Sequence, residues 1–288
     1  MMKNIILLIS ALAISVTLDA QWNQLGEDIN GETWEDEWGS TLAITPDGNR
    51  LVSGAPHHGD LDSLIGAKDS ISGQVRVYEY IDDNWVQLGQ TLEGEFENQF
   101  GSRVSISDDG SRIAVSDLAA DEVSVYEYED QWTQVGETFP ENEQANNQFG
   151  ESIDLSEDGK RIVIGAPYHN NSHSIDAGQI IVYEEVNGNW HQVGNTIEGT
   201  SIFHYLGGAV SISADGTRIA VGGGTKEVAR IYEESNGNWS QIGIDIYNGE
   251  EIADPKVELA LSSDGRKLAI KASFEDGNIR VYEETDEN

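Results

Sequence analysis

Five times along the chain an Asp-Gly pair is followed by a cation two residues beyond the glycine, and the same landmarks then recur in the same order. The pairs begin at Asp47, Asp109, Asp158, Asp215 and Asp264, and the cations are Arg50, Arg112, Arg161, Arg218 and Lys267. A [VI]-Tyr-Glu motif comes next, with Tyr78, Tyr126, Tyr183, Tyr232 and Tyr282 spaced by 48, 57, 49 and 50 residues. Trp-x-Gln-[LVI]-Gly follows at Trp85, Trp132, Trp190 and Trp239. A period of this size changes the meaning of every local motif, because each copy is one supersecondary unit that cannot bury its apolar face alone.

Within the second unit, period-two alternation in VSIS and VSVYEY separates into four strands, here A (102–107), B (112–116), C (123–128) and D (132–139). Asp-Gly suits the A–B hairpin, since glycine accepts positive φ and aspartate tolerates it. Four-stranded units at this spacing predict an all-β chain folded as a five-bladed β-propeller. Expected blades lie at about 39–92, 101–139, 150–197, 207–246 and 256–285 within a single domain over 21–288. The fifth unit stops without its Trp motif, and residues 21–29, QWNQLGEDI, carry that motif alone. They are expected to supply the outer strand of blade 5, close the ring and bury Trp22. Across each A–B hairpin, Arg50, Arg112, Arg161, Arg218 and Lys267 should pair with Glu79, Glu127, Glu184, Glu233 and Glu283 on strand C.

Residues 1–20 hold Lys3, a short apolar run and a small-residue end at Ala20, which reads as a secretory leader too short to span a bilayer. Location is therefore expected outside the cell or in its envelope. There are no cysteines, which excludes disulfides and thiolate chemistry. A net charge of −36 repels nucleic-acid phosphates and anionic membranes, so neither is an expected partner.

Blade 3 reads Phe149-Gly-Glu-Ser-Ile153, then Asp158-Gly, then Val163-Ile-Gly-Ala-Pro167, and resembles the FG-GAP repeat of integrin α-subunit propellers and related bacterial surface proteins. Trp38-Gly39 with Gly54-Ala-Pro56, Phe100-Gly101 and Leu206-Gly207 extend the resemblance across the chain. Integrin propellers have seven blades, a departure that prevents ligand sites from being carried over. FG-GAP repeats often hold calcium in the A–B turn. Here TPDGNR, SDDGSR, SEDGKR, SADGTR and SSDGRK offer too few carboxylates, so no cofactor is expected.

Short, uniform A–B and C–D turns occupy one face of the disc, and the variable D–A and B–C connections occupy the other, where specificity usually resides. The variable face carries Trp34, Trp38, His57, His58, Phe203, His204 and Tyr205, the expected ligand contacts. For Trp38, which stands at the Phe100 and Phe149 position, packing is the stronger expectation. Neither a catalytic constellation nor metal-ligand spacing is evident. The sequence therefore reads as a monomeric, non-enzymatic adhesion module that binds a cell-surface protein or glycan. A polysaccharide-active hydrolase or lyase is the alternative, for which Asp154, the one acid at its strand A position, would need a second carboxylate. A purely structural module is the third reading.

Overall fold

The computed structural model describes residues 22–32, 36–59, 72–95, 97–139, 147–172, 174–223, 228–247, 258–271 and 279–285. The expected leader at 1–20 lies outside them. Five antiparallel sheets follow the repeat. Blade 1 is β1 (Thr41–Ile44), β2 (Arg50–Ala55), β3 (Gln74–Ile81) and β4 (Asn84–Gln87), with β5 (Leu92–Glu93) also on β3. Blade 2 is β6 (Phe100–Ile106), β7 (Arg112–Asp117), β8 (Glu122–Tyr128) and β9 (Trp132–Gln134). Blade 3 is β10 (Ser152–Leu155), β11 (Arg161–Ala166), β12 (Gln179–Val186) and β13 (Asn189–Gln192), with β14 (Ile197–Glu198) on β12. Blade 4 is β15 (Ala209–Ile212), β16 (Arg218–Gly223), β17 (Val228–Ser235) and β18 (Asn238–Tyr247). Blade 5 is β19 (Leu259–Leu261), β20 (Lys267–Lys271) and β21 (Ile279–Glu283). The chain is a five-bladed all-β propeller. Among the described residues no helix is long and apolar enough to cross a membrane.

Each A–B turn repeats one hydrogen-bonded design. Asp109 Oδ1 accepts from Ser107 Oγ at 2.8 Å and from Ser111 N at 2.8 Å, while Ser107 Oγ accepts from Arg112 N at 3.0 Å. Thr45, Ser156, Ser213 and Ser262 play the Ser107 part in the other blades. The turn aspartates are thus engaged in holding their own hairpins.

The conserved cation does more than cross its own sheet. Arg50, Arg112, Arg161 and Arg218 reach their register partners Glu79, Glu127, Glu184 and Glu233 at 2.8, 3.1, 3.0 and 2.8 Å. Each guanidinium also donates to the next blade's turn glycine carbonyl: Gly110, Gly159, Gly216 and Gly265, at 3.1, 3.3, 3.0 and 3.4 Å. Its methylenes lie over that glycine, where a Cβ would sit 2.5–2.8 Å from the arginine Cδ. Arg112, Arg161 and Arg218 add a carboxylate from the next blade, Glu185, Glu234 and Glu284. One side chain therefore fastens two blades.

The two glycine motifs meet between blades. A Cβ on Gly54 or Gly165 would fall 2.2 Å from the carbonyl oxygen of Gly101 or Gly207 in the following blade. Gly101 and Gly207 hold φ of 92° and 96°, which L side chains rarely adopt. On the outer rim, strand D is split where one strand over 132–139 was expected: β9 ends at Gln134, and Phe139 pairs again with Val123. The cause is Gly136, at φ 70°, which turns the chain so that the next blade's Trp190 can pack on it. Trp132, Trp190 and Trp239 donate their indole N–H to Leu88, Val135 and Val193 of the preceding blade at 2.8, 2.8 and 2.9 Å.

Residues 22–29 take the same position against blade 1, since Trp85 donates to Leu25 O at 3.0 Å and packs on Gly26. They carry no strand, however, and Trp22 is fully exposed rather than buried. The junction between blades 5 and 1 differs from the other four. Leu42 and Ile44 on β1 are 67% and 54% exposed, and Ile279 and Val281 on β21 are 73% and 69% exposed. Their counterparts Ile180, Val182, Val210 and Ile212 are buried together between blades 3 and 4. Among the described residues Lys267 reaches its own partner Glu283, at 3.4 Å, and no atom lies within 4 Å of where a Cβ on Gly48 would stand.

Asp154 belongs to the inner strands. Its Oδ1 accepts from Ser105 Oγ at 3.2 Å in blade 2, and its Oδ2 accepts from Ser211 Oγ at 3.1 Å and Ile212 N at 3.0 Å in blade 4. It sits deep among these strands, though its residue keeps some exposure to water. Burial pushes its carboxyl above the ordinary range against the lowering effect of those donors.

Gly165→Ala should lower stability by about 1–3 kcal/mol through overpacking, read from the urea midpoint. Arg112→Ala should cost about 3–5 kcal/mol because it strands the buried Glu185 carboxylate, whereas Lys267→Ala should stay within about 0.5 kcal/mol. Equal effects of the two would show that fastening between blades is not what the arginines supply. A group whose folded pKa is raised contributes stability below its unfolded pKa and loses it as pH rises through the folded one. The advantage of wild type over Asp154→Ala should therefore be greatest at the acidic end and shrink toward neutrality in a series of denaturation curves.

Candidate active site

A buried polar position recurs two residues before the aromatic-Gly or Leu-Gly pair that opens each of blades 1 to 4. It holds Asp36, Asn98, Asn147 and His204, of which Asp36, Asn147 and His204 are 1%, 2% and 7% exposed. Facing it, just after the Gly-Ala-Pro of blades 1 and 3, stand His58 and His169, whose carbonyls each accept the N–H of the glycine before strand C, Gly73 at 3.0 Å and Gly178 at 2.9 Å. Blade 1 thus sets a carboxylate beside a histidine where blade 3 sets an amide.

His58 Nδ1 lies 3.3 Å from Asp36 Oδ2 and is buried out of line for a hydrogen bond. Such alignment commonly tightens only when substrate binds. On its other side Nε2 is 4.0 Å from Glu32 Oε2. Glu32 is in turn gripped by Arg76, which donates to Gln74 Oε1 at 3.0 Å and lies 5.4 Å from the Trp38 ring centroid. The outcome is an imidazole with a buried carboxylate behind it and an ion-paired carboxylate at its edge. A histidine so placed can take and return a proton.

Three of the seven expected contacts therefore come together around blade 1. His58 carries the proton-transfer geometry. His57, whose Nδ1 is 3.1 Å from Glu37 Oε1, lies half-exposed beside it. Trp38 is packing: it donates to Ile29 O at 3.3 Å and meets Tyr78 edge-on at 6.2 Å, as Phe100 meets Tyr126 at 6.2 Å. Trp34 lies outside the described residues. Phe203, His204 and Tyr205 form a separate group on blade 4. His204 turns inward, its Nδ1 accepting from Thr200 N at 3.2 Å, and burial then Arg230 hold its pKa down.

Sequence reasoning singled out His58 but missed Asp36 and Glu32, which sit in another loop. The alignment of Asp36 with Asn98, Asn147 and His204 was the available signal. It also missed an acidic cleft of about 240 Å³ lined by Glu93, Glu95, Asp117 and Glu122. Burial raises the pKa of Asp117, and burial with Asp117 and Glu95 raises that of Glu122. Asp117 is nonetheless held by the N–H groups of Gln99, Ala119 and Ala120 at 2.9, 3.2 and 3.3 Å, a loop-capping role. Asp154 is likewise engaged by Ser105, Ser211 and Ile212. Among the described residues no group of three or more His, Cys, Asp or Glu is placed to hold a metal.

The FG-GAP repeat family matches residues 132–183, well short of half the chain. No curated protein matches the sequence. Over most of its length the chain is similar to a protein of unknown function from Desulfotomaculum acetoxidans DSM 771, at 16% identity and a TM-score of 0.56, covering 84% of this chain and 68% of the other. It is similar to a candidate 6-phosphogluconolactonase from Bacteroides uniformis, at 15% identity and a TM-score of 0.56, covering 87% and 68%. It is also similar to the periplasmic gluconolactonase of Pseudomonas aeruginosa, at 18% identity and a TM-score of 0.50, covering 86% and 81%. Identities this low establish the shared propeller fold. They correct the integrin-type resemblance, because the likeness over most of the chain runs to propellers that include named gluconolactonases and the FG-GAP match is confined to one stretch. The non-enzymatic adhesion reading is corrected on the same finding, since two of these similar propellers are named as gluconolactonases.

Proposed function

We propose that the protein is an extracytoplasmic hydrolase that opens a sugar-derived lactone or ester, with His58 as general base. The His58–Asp36 pair carries this reading, and the fold shared with propellers named as gluconolactonases supports it. The leader at 1–20 and the similarity to a periplasmic enzyme support the location.

In this mechanism water attacks the carbonyl carbon while His58 Nε2 removes its proton. The carbonyl electron pair moves to oxygen and then returns, the acyl C–O bond breaks, and the departing alkoxide takes the proton back from His58. Asp36 holds the ring in position and stabilises the imidazolium formed between the two transfers. Glu32, fixed by Arg76, lies at the Nε2 edge of the ring but too far for a direct hydrogen bond.

Hydrolysis of glucono-δ-lactone, followed by proton release, should run faster with the protein than in buffer. His58→Ala should lower that rate by about 10²–10⁴-fold, the usual contribution of a general base. His57→Ala should leave it within about twofold, because its partner Glu37 is outside the pair. No rate above buffer across a panel of lactones and aryl esters, or full activity in His58→Ala, would overturn the assignment.

A further inference from the structure

The D–A connection of blade 4 is zipped onto the B–C connection of blade 3. Phe203 N donates to Ile175 O at 3.0 Å, Tyr205 N to Asp176 O at 3.0 Å and Leu206 N to Ala177 O at 3.1 Å. Asp176, Phe203 and Tyr205 hold φ of 48°, 56° and 48°, a region bulky L residues seldom occupy. The rings of Phe203 and Tyr205 stack with centroids 6.0 Å apart and planes 25° apart, and Tyr168 meets Tyr205 edge-on at 5.3 Å. Phe203 is 46% exposed, with Ile175 and Ile202 beside it at 61% and 57%. Two loops from different blades are thus locked together to present nearly parallel aromatic rings to solvent.

We infer that this platform is a binding subsite for a neutral saccharide. The size of the patch decides against a protein or a second copy. Phe203, Ile175 and Ile202 at about half exposure, with the partly buried Tyr168 and Tyr205 beside them, offer at most roughly 400 Å² when a whole aromatic buries ~150–250 Å². A stable protein interface takes about 800 Å² from each partner. A pyranose instead offers a flat C–H face as wide as one aromatic ring, with hydroxyls at its edge. Asp176, close enough to act electrostatically on the Tyr205 hydroxyl, supplies an acceptor at the rim of the platform. The same carboxylate, on a chain of net charge −36, disfavours uronates and other acidic sugars. Locked loops also reduce the ordering that binding must impose. As a substrate-holding subsite the platform rests on the hydrolase reading, but its binding is independent of catalysis.

The test is titration calorimetry with cellohexaose, laminarihexaose and xylohexaose, with a galacturonate hexamer as the acidic comparison. At least one neutral oligosaccharide should bind, and the acidic one should bind more weakly than it. Phe203→Ala should weaken binding by about tenfold, the scale of one anchor side chain, with an unchanged melting temperature. Phe203→Trp should retain it. His58→Ala should bind as wild type does while losing hydrolysis. Activity without binding would overturn the subsite alone, and binding without activity would overturn the hydrolase reading alone. Absence of binding to all three neutral sugars, equal affinity in Phe203→Ala, or tighter binding of the galacturonate would refute the inference.

Discussion

Everything in this propeller hangs on an arginine that answers to two blades at once. In blades 1 to 4 it neutralises a glutamate across its own hairpin and caps the turn of the next blade through a glycine carbonyl. Guanidinium suits the task because it is planar, always charged and carries several donors in fixed directions, so one group can serve a carboxylate and a carbonyl together. A lysine has one compact head. Such multiple pairing matters most where the cation is buried, as at Arg112, whose side chain is 9% exposed.

Around that fastening the glycines set the distance between blades. Gly54 lets the backbone of Gly101 approach, Gly165 does the same for Gly207, and the rim glycines admit the indoles. The loops on the variable face inherit this rigidity. His58 and Asp36 arise from different connections of blade 1, yet both leave strands anchored within the same sheet. Chemistry on this fold is a matter of which polar groups the repeat's fixed positions happen to hold.

The parts legible in the sequence were those whose partners lie close along the chain. Asp-Gly hairpins and the Arg50–Glu79 type of pair are set by register within a single sheet, and they could be placed residue by residue. The arginine's second grip was invisible, because 47 or more positions separate it from a carbonyl that only blade packing brings near. Asp36 was hidden from His58 for want of a register, since the two stand in separate loops and not on paired strands. Trp22 was misplaced for a related reason: its motif matches its siblings, but residues 22–29 carry no strand, and the indole is exposed while the rim glycine of blade 4, Gly243, stays uncovered. His204 looked like a surface contact among aromatic neighbours, yet a buried polar position recurs there in other blades, and it faces inward.

The junction between blades 5 and 1, the least fastened among the described residues, has a thermodynamic consequence. With strong coupling at four junctions and exposed apolar strands at the fifth, the blades behave as a row with two ends, despite being arranged about an axis. In a row of coupled units, free energy accumulates from nearest-neighbour terms, and the terminal units open first. Blade 3, gripped by Arg112 from one side and gripping blade 4 through Arg161, is the thermodynamic centre. Blade 1 lies nearer an end. The His58–Asp36 pair thus sits where local opening costs least, while the aromatic platform joins the two blades on the most firmly coupled side.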